Sequence, residues 1–437
     1  MRFLIVLVLA GLMQAAKSFG PAPGVGSSPA GTALACGYLL LSAFFAGSIF
    51  KSLGLPRLTG YLFTGIIVVP RVLGLVSDPM VGNLRIFNGI ATALIALTAG
   101  VELDLQSMKP LLKTIGWLSA VAVLGTIGLL TGAVFLSRDL LPFMTHLTLV
   151  QAIAISVVLG VTMVAQSPAV VVALHSEMQS DGPLTRTILG VVVMSDLVVI
   201  ILFAIVSSVA KSLLGSGTDA FRTAGALAWE VLGSLAIGAL VGVILAVYLR
   251  YVKGSSALFV TAAAFLIAEI GQRVDLDPLL VALAAGVLIR NATRHGERLQ
   301  HEIEVSSLPV YVVFFAVTGA TVHINELLIV GIPAMALVLT RAAGFYGLGW
   351  LATTIAKAPE TVRRNAGFGL MPQAGLALAL ALLFVKTFPH FGAEGSALVL
   401  GVVAMNEMVA PVLYRWALVR SGEAGQSKAV TEAVAAH

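Results

Sequence analysis

An all-α protein that crosses a membrane many times is what this sequence predicts, and three observations predict it. Hydrophobic residues make up 58% of the chain and charged residues only 11%, against about 45–50% and about 25% in soluble domains. Mean hydropathy is +1.01, too high for the surface to be polar throughout, so much of the solvent around this protein is lipid. Thirteen apolar stretches, separated by charged or Gly/Pro-containing breaks, then supply the helices; each is read as a span because about 20 residues of helix cross a bilayer.

These stretches fall at about 31–50, 58–76, 84–101, 112–136, 147–174, 183–210, 223–249, 255–271, 277–290, 305–322, 327–356, 362–386 and 395–418. Several are longer or shorter than the usual span, which predicts tilted, broken and short helices. Residues 1–20 stand apart: Arg2 precedes an apolar run from Phe3 to Met13, which reads as a signal peptide cut near Ser18-Phe19-Gly20 or as an uncleaved anchor. With the mature N-terminus outside, the inner loops hold sixteen Lys/Arg and the outer loops eight, so the bias favours a cytoplasmic C-terminus, with residues 421–437 as a short cytoplasmic tail.

Several functions are excluded by what the chain lacks. The net charge of +5 comes from 26 Lys/Arg against 21 Asp/Glu, but no basic run is long enough for a nucleic-acid arm. The single cysteine, Cys36, excludes an internal disulfide, a Cys-type zinc site and an iron–sulfur cluster. Walker A, HExxH and GxSxG are absent, so no enzyme is expected and no cofactor is implied.

The spans divide as six, a linker at 223–249, and six more. Six-helix units separated by one crossing lie in opposite orientations, the plan of inverted-repeat transporters; repeat one is about 31–210 and repeat two about 255–418. The fifth span of each repeat is interrupted, at Gln166-Ser167-Pro168-Ala169 and at Gly369 to Gly375, which includes Pro372 and Gln373. Proline breaks the helical hydrogen-bond ladder, and in lipid such a break is tolerated only inside protein or beside water. Matching breaks therefore point to an ion or substrate site at mid-membrane, with incidental kinks as the alternative.

Three charges fall near the middle of spans: Asp196, Arg341 and Glu407. A charge at the bilayer centre costs at least about 2.5–3.5 kcal/mol on insertion scales, so each is a functional candidate. Asp196, in the span after the first break, is the expected ion-binding carboxylate. Arg341 and Glu407 are the expected charge-compensating residues, Arg341 also offsetting the dipoles of the half-helices, and a pair between the two is expected. The seven histidines are placed in loops or the tail, on solvated surface.

Motifs in order then carry a family resemblance. Leu55-Pro56-Arg57-Leu58-Thr59-Gly60-Tyr61-Leu62 with Gly65 and Pro70, Gly100-Val101-Glu102-Leu103-Asp104, Gln166-Ser167-Pro168, Gly182-Pro183-Leu184 through Gly190 to Ser195-Asp196, the second break, and Ala410-Pro411-Val412-Leu413 together resemble the monovalent cation:proton antiporters of the second branch, over residues 31–420. That resemblance implies thirteen helices in two inverted repeats with two crossed broken helices, forming a dimerisation domain and a mobile core. It implies exchange of sodium or potassium for protons by a homodimer in the bacterial inner (plasma) membrane. Carried onto this chain, it makes Asp196 the monovalent-cation ligand, with Ser195, Ser167 and Gln166 beside it. Ser195 stands where electrogenic members carry a first aspartate, which implies one cation for one proton. A potassium efflux channel and a sodium-coupled solute symporter are the alternatives.

Overall fold

The computed structural model describes residues 2–18, 29–70, 72–84, 86–214, 229–252, 257–274, 276–293, 296–321, 324–373, 375–388 and 391–426. In chain order its longer helices are α1 (Arg2–Ser18), α2 (Pro29–Ser52), α3 (Arg57–Val68), α4 (Asp78–Leu84), α5 (Ile86–Glu102), α6 (Leu112–Trp117), α7 (Leu124–Leu136), α8 (Leu149–Val164), α9 (Pro168–Met178), α10 (Pro183–Leu213), α11 (Ser234–Tyr251), α12 (Ala257–Arg273), α13 (Pro278–Ala292), α14 (Gly296–Ala320), α15 (Ile324–Ile355), α16 (Glu360–Gly369), α17 (Gly375–Thr387) and α18 (Gly392–Ser421). A π-helical turn, Leu118–Val123, joins α6 to α7. Among the described residues there is no strand.

Every expected span carries helix over its described part. Among the described residues, seven helices, or unions of adjoining helices, are long and apolar enough to cross a membrane: Gly31–Ser52, Lys109–Leu136, Leu149–Met178, Pro183–Leu213, Ser234–Tyr251, Gly331–Ile355 and Glu394–Ser421. The others are shorter or broken. The second stretch, expected to run to residue 76, is helical only to Val68, because Val69 is extended (ψ 160°): a residue before proline is driven from the α region. The third is preceded by the separate helix α4, and α14 starts well before residue 305 and so takes in His301.

The described helices gather into two compact units, Met1–Glu102 with Ser234–Val322 and Leu103–Gly233 with His323–His437. They cut across the expected repeats: the first holds the first three spans of each half together with α1 and α11, and the second holds the last three spans of each. Within the first unit, α3 and α14 cross at close range. A Cβ on Gly65 would lie 1.9 Å from the Ala316 carbonyl oxygen, and one on Gly319 would lie 2.1 Å from that of Leu62, so only glycine permits this backbone contact.

The second unit holds the best-buried span. In Leu149–Met178, 83% of the most apolar stretch is buried, against 33% in Lys109–Leu136 and 28% in Gly331–Ile355. Its start is defined locally by a capping box: the Thr148 hydroxyl accepts from the Gln151 amide, and the Gln151 side chain accepts from the Thr148 amide. The expected leader cleavage at Phe19-Gly20, most of the tail, and His295, His323, His390 and His437 lie outside the described residues.

Candidate functional site

All the site residues expected from the sequence lie in the second unit. The first break begins where α8 ends at Val164. Ala165 (ψ 137°) and Ser167 (ψ 101°) are extended, and α9 starts at Pro168, the helix position that needs no amide hydrogen. The Ser167 hydroxyl caps α9 by accepting from the Val170 amide at 3.2 Å. The second break runs from Leu370 to Gln373, between α16 and α17; Ala374 lies outside the described residues.

A helix that stops inside a membrane leaves carbonyls that water cannot reach. Here Arg341 takes them. Its guanidinium donates to the carbonyls of Met163 (2.9 Å) and Ala165 (3.0 Å) in the first break and of Met371 (2.5 Å) in the second. Arg341 is fully buried and lies 4.7 Å from the centroid of the Phe345 ring, one turn along α15, a cation–π contact. Its positive charge thus meets the partial negative charge at the ends of two half-helices. The breaks also bond directly, the Ser167 amide donating to the Pro372 carbonyl at 3.0 Å.

This arrangement corrects the expected pair between Arg341 and Glu407. Among the described residues no ion pair joins them, and all three hydrogen bonds of Arg341 go to backbone carbonyls. Once three converging carbonyls occupy the planar guanidinium fork, they answer its charge without a carboxylate. Glu407 is nevertheless buried, 3% exposed, and its Oε1 has no hydrogen-bond partner among the described residues.

Asp196 is buried, 2% exposed, in the middle of α10. Beside it Ser195 donates its hydroxyl to the Val191 carbonyl in its own helix. The same helix touches the second break at Ile188, whose side chain lies within 2.6–2.9 Å of where a Cβ on Gly369 would be; Asp196 lies eight residues, about 12 Å, further along α10. Gln166, 1% exposed, has no hydrogen-bond partner among the described residues on either atom of its amide. A buried amide left without partners costs about 1–3 kcal/mol, so the first break offers an oxygen and an amine for something else to use. Among the described residues no three His, Cys, Asp or Glu side chains cluster as metal ligands.

Three features escaped the sequence. Asn406 donates to Gln373 Oε1 at 3.0 Å, and Gln373 Nε2 donates to the Met163 carbonyl at 3.0 Å, so α18 holds the second break and, through Gln373, is linked to the end of α8. Glu423, just beyond α18, is buried and straps the start of α10. Its Oε1 accepts from the Leu184 amide (2.7 Å), and its Oε2 accepts from the Thr185 amide (2.7 Å) and hydroxyl (2.8 Å). Gly182 makes room for it, since a Cβ there would sit 2.4 Å from the Glu423 carboxyl carbon. The Gly425 amide also donates to the Met178 carbonyl at 2.9 Å, tying the strap to the end of α9. Nothing in residue type or spacing marks Glu423, because a lone acid after a last span reads as tail. His175, expected on solvated surface, is instead buried in α9, its Nε2 2.7 Å from the Tyr414 hydroxyl; its apolar neighbours Val171, Val172 and Leu174 were the available signal.

Two interrupted helices, bonded to each other and neutralised by one buried arginine, place the chain in the class of broken-helix membrane transporters. More particularly, it belongs to the sodium/hydrogen exchanger transmembrane family, whose model matches residues 40–420. Its fold is similar to that of the sodium proton antiporter MjNhaP1 from Methanocaldococcus jannaschii, solved at pH 8, with 16% identity, a TM-score of 0.66 and coverage of 90% of this chain and 98% of that one. An electron-microscopy structure of the same antiporter matches at 16% identity and a TM-score of 0.66, covering 89% of this chain and 97% of that one.

Proposed function

We propose that this protein exchanges a monovalent cation, sodium or potassium, for protons across the bacterial plasma membrane by alternating access. The observation that carries the reading is Asp196, a carboxylate buried in mid-helix in the unit that also contains both broken helices. Family membership supports cation:proton exchange, and the ordered motifs support the second branch of cation:proton antiporters within it.

The chemistry is competition at one carboxyl group. With its proton Asp196 is neutral; without it, a cation takes the proton's place, helped by Ser195, Ser167 and the amide oxygen of Gln166. Arg341 keeps its proton throughout, because a guanidinium does not titrate in the physiological range, and so it neutralises the half-helix ends in both forms. With Ser195 in place of a second aspartate, one proton exchanges for one cation and no net charge crosses. The two inverted repeats, the homodimer and the cytoplasmic C-terminus belong to the same reading.

The test is a proteoliposome assay of pH-gradient dissipation with sodium, potassium or lithium added in turn. Wild type collapses the gradient with at least one of them, and Asp196→Asn, which can neither release a proton nor hold a cation by charge, does not. More than a few per cent of wild-type flux in a folded, inserted Asp196→Asn would move the assignment to Glu407.

A further inference from the structure

Gln373 and Asn406 face each other with their amide groups, and two backbone carbonyls settle which way each points. The Met163 carbonyl, which can only accept, receives Gln373 Nε2 at 3.0 Å as well as Arg341 Nε at 2.9 Å. Gln373 therefore turns its Oε1 the other way, towards Asn406. Asn406 meets it with Nδ2, at 3.0 Å, and the same nitrogen donates to the Val402 carbonyl one turn back in α18, at 3.1 Å. A carboxamide offers one accepting and one donating end, so a flip of either group would set oxygen against oxygen. Both side chains are buried, Gln373 at 0% and Asn406 at 5% exposure. Gln373 directly follows Pro372, whose carbonyl accepts the Ser167 amide of the first break, and Ser167 adjoins the unpartnered Gln166.

We propose that Asn406 is a positioning residue of the crossing. By holding Gln373 Oε1 it keeps the Gln373 amine on the Met163 carbonyl and Pro372 against Ser167, and so sets how the first break presents Gln166 and Ser167 to the transported cation. Asn406 itself touches no ion. The inference rests on the exchange reading above, and its test carries one readout that does not depend on transport.

Asn406→Ala, Asn406→Asp, Gln373→Ala and the Asn406→Ala/Gln373→Ala double variant are compared in proteoliposomes for the apparent cation KM and the maximal rate at one fixed pH. Amide hydrogen exchange over residues 160–172 is followed in the same four proteins and the wild type. Loss of one neutral hydrogen bond predicts a rise in KM of roughly three- to tenfold in Asn406→Ala. As a carboxylate, Asn406→Asp keeps the shape of Asn but cannot donate to Gln373 Oε1 and is affected at least as much; it serves the comparison if the alanine variant fails to insert. If Asn406 acts only through Gln373, the double variant is no worse than Gln373→Ala alone, and the Ser167 region exchanges faster in every variant than in wild type. A double variant whose KM change is the product of the two single changes would overturn the proposal, and so would unchanged protection of residues 160–172. A wild type without cation-dependent proton flux defeats the exchange reading instead, and hydrogen exchange then decides the role of Asn406 by itself.

Discussion

Arg341 and Glu423 are buried ions in the same unit, and each is met by helix ends of opposite polarity. Arg341 reaches carbonyls 178, 176 and 30 residues away, where helices stop. Glu423 reaches amides 239 and 238 residues away, where one helix starts. In a low dielectric, oriented peptide dipoles can take the place of a counter-ion. The difference lies in what is left over. Around Glu423 both carboxylate oxygens are engaged, and the strap is saturated. Around Arg341 the breaks are stitched, yet among the described residues both atoms of the Gln166 amide and Glu407 Oε1 remain without hydrogen bonds. A saturated polar group contributes stability; an unsatisfied one is where a ligand can act.

A graded series of measurements breaks or sharpens that contrast. The largest effect is expected at Asp196, where Asn leaves no more than a few per cent of cation-driven proton flux in a protein that still inserts. Arg341→Ala comes next. It strands the Ala165 and Met371 carbonyls, leaves Met163 only its bond from Gln373, and costs at least about 2 kcal/mol, seen as a lowered thermal midpoint in detergent together with lost exchange. Because Arg341 bonds to carbonyls and not to Glu407, the midpoint shifts of Arg341→Ala and Glu407→Gln should add; a coupling above about 0.5 kcal/mol in the double variant would restore the ion pair.

Smaller is the expected effect of Glu423→Gln, about 1–2 kcal/mol, since one amide oxygen still accepts but the charge and one acceptor are lost. Its midpoint falls by less than that of Arg341→Ala while the apparent cation KM stays within about twofold of wild type. A KM change as large as that of Asn406→Ala would mean the strap also shapes the site. The smallest effect is that of voltage. Each net charge moved is worth about 2.3 kcal/mol per 100 mV, so a one-for-one cycle should reach the same flux equilibrium in proteoliposomes clamped at zero or at 100 mV. Proton competition gives the companion sign: below the apparent pKa of the binding carboxyl, each unit of acidification raises the apparent cation KM about tenfold by mass action.

Much of this molecule can be read from its residues alone. Hydropathy and proline placement locate the helices and both interruptions, because lipid penalises any backbone group without an internal partner. The same penalty singles out Asp196, Arg341 and Glu407, and all three are buried in mid-helix. What these groups meet is another matter. Read alone, Arg341 goes with Glu407, a mid-span charge of opposite sign; in the fold it goes to Met163, Ala165 and Met371. His175 reads as surface and is packed on Tyr414. Glu423 reads as tail and holds the start of α10. Asn406, unmarked by residue type or spacing, donates to Gln373 Oε1. The physical reason is common to all four. Burial follows from the composition of a stretch of about twenty residues, whereas a hydrogen bond requires two atoms within about 3 Å, and segments separated by as many as 239 residues meet at that range only once the helices have crossed.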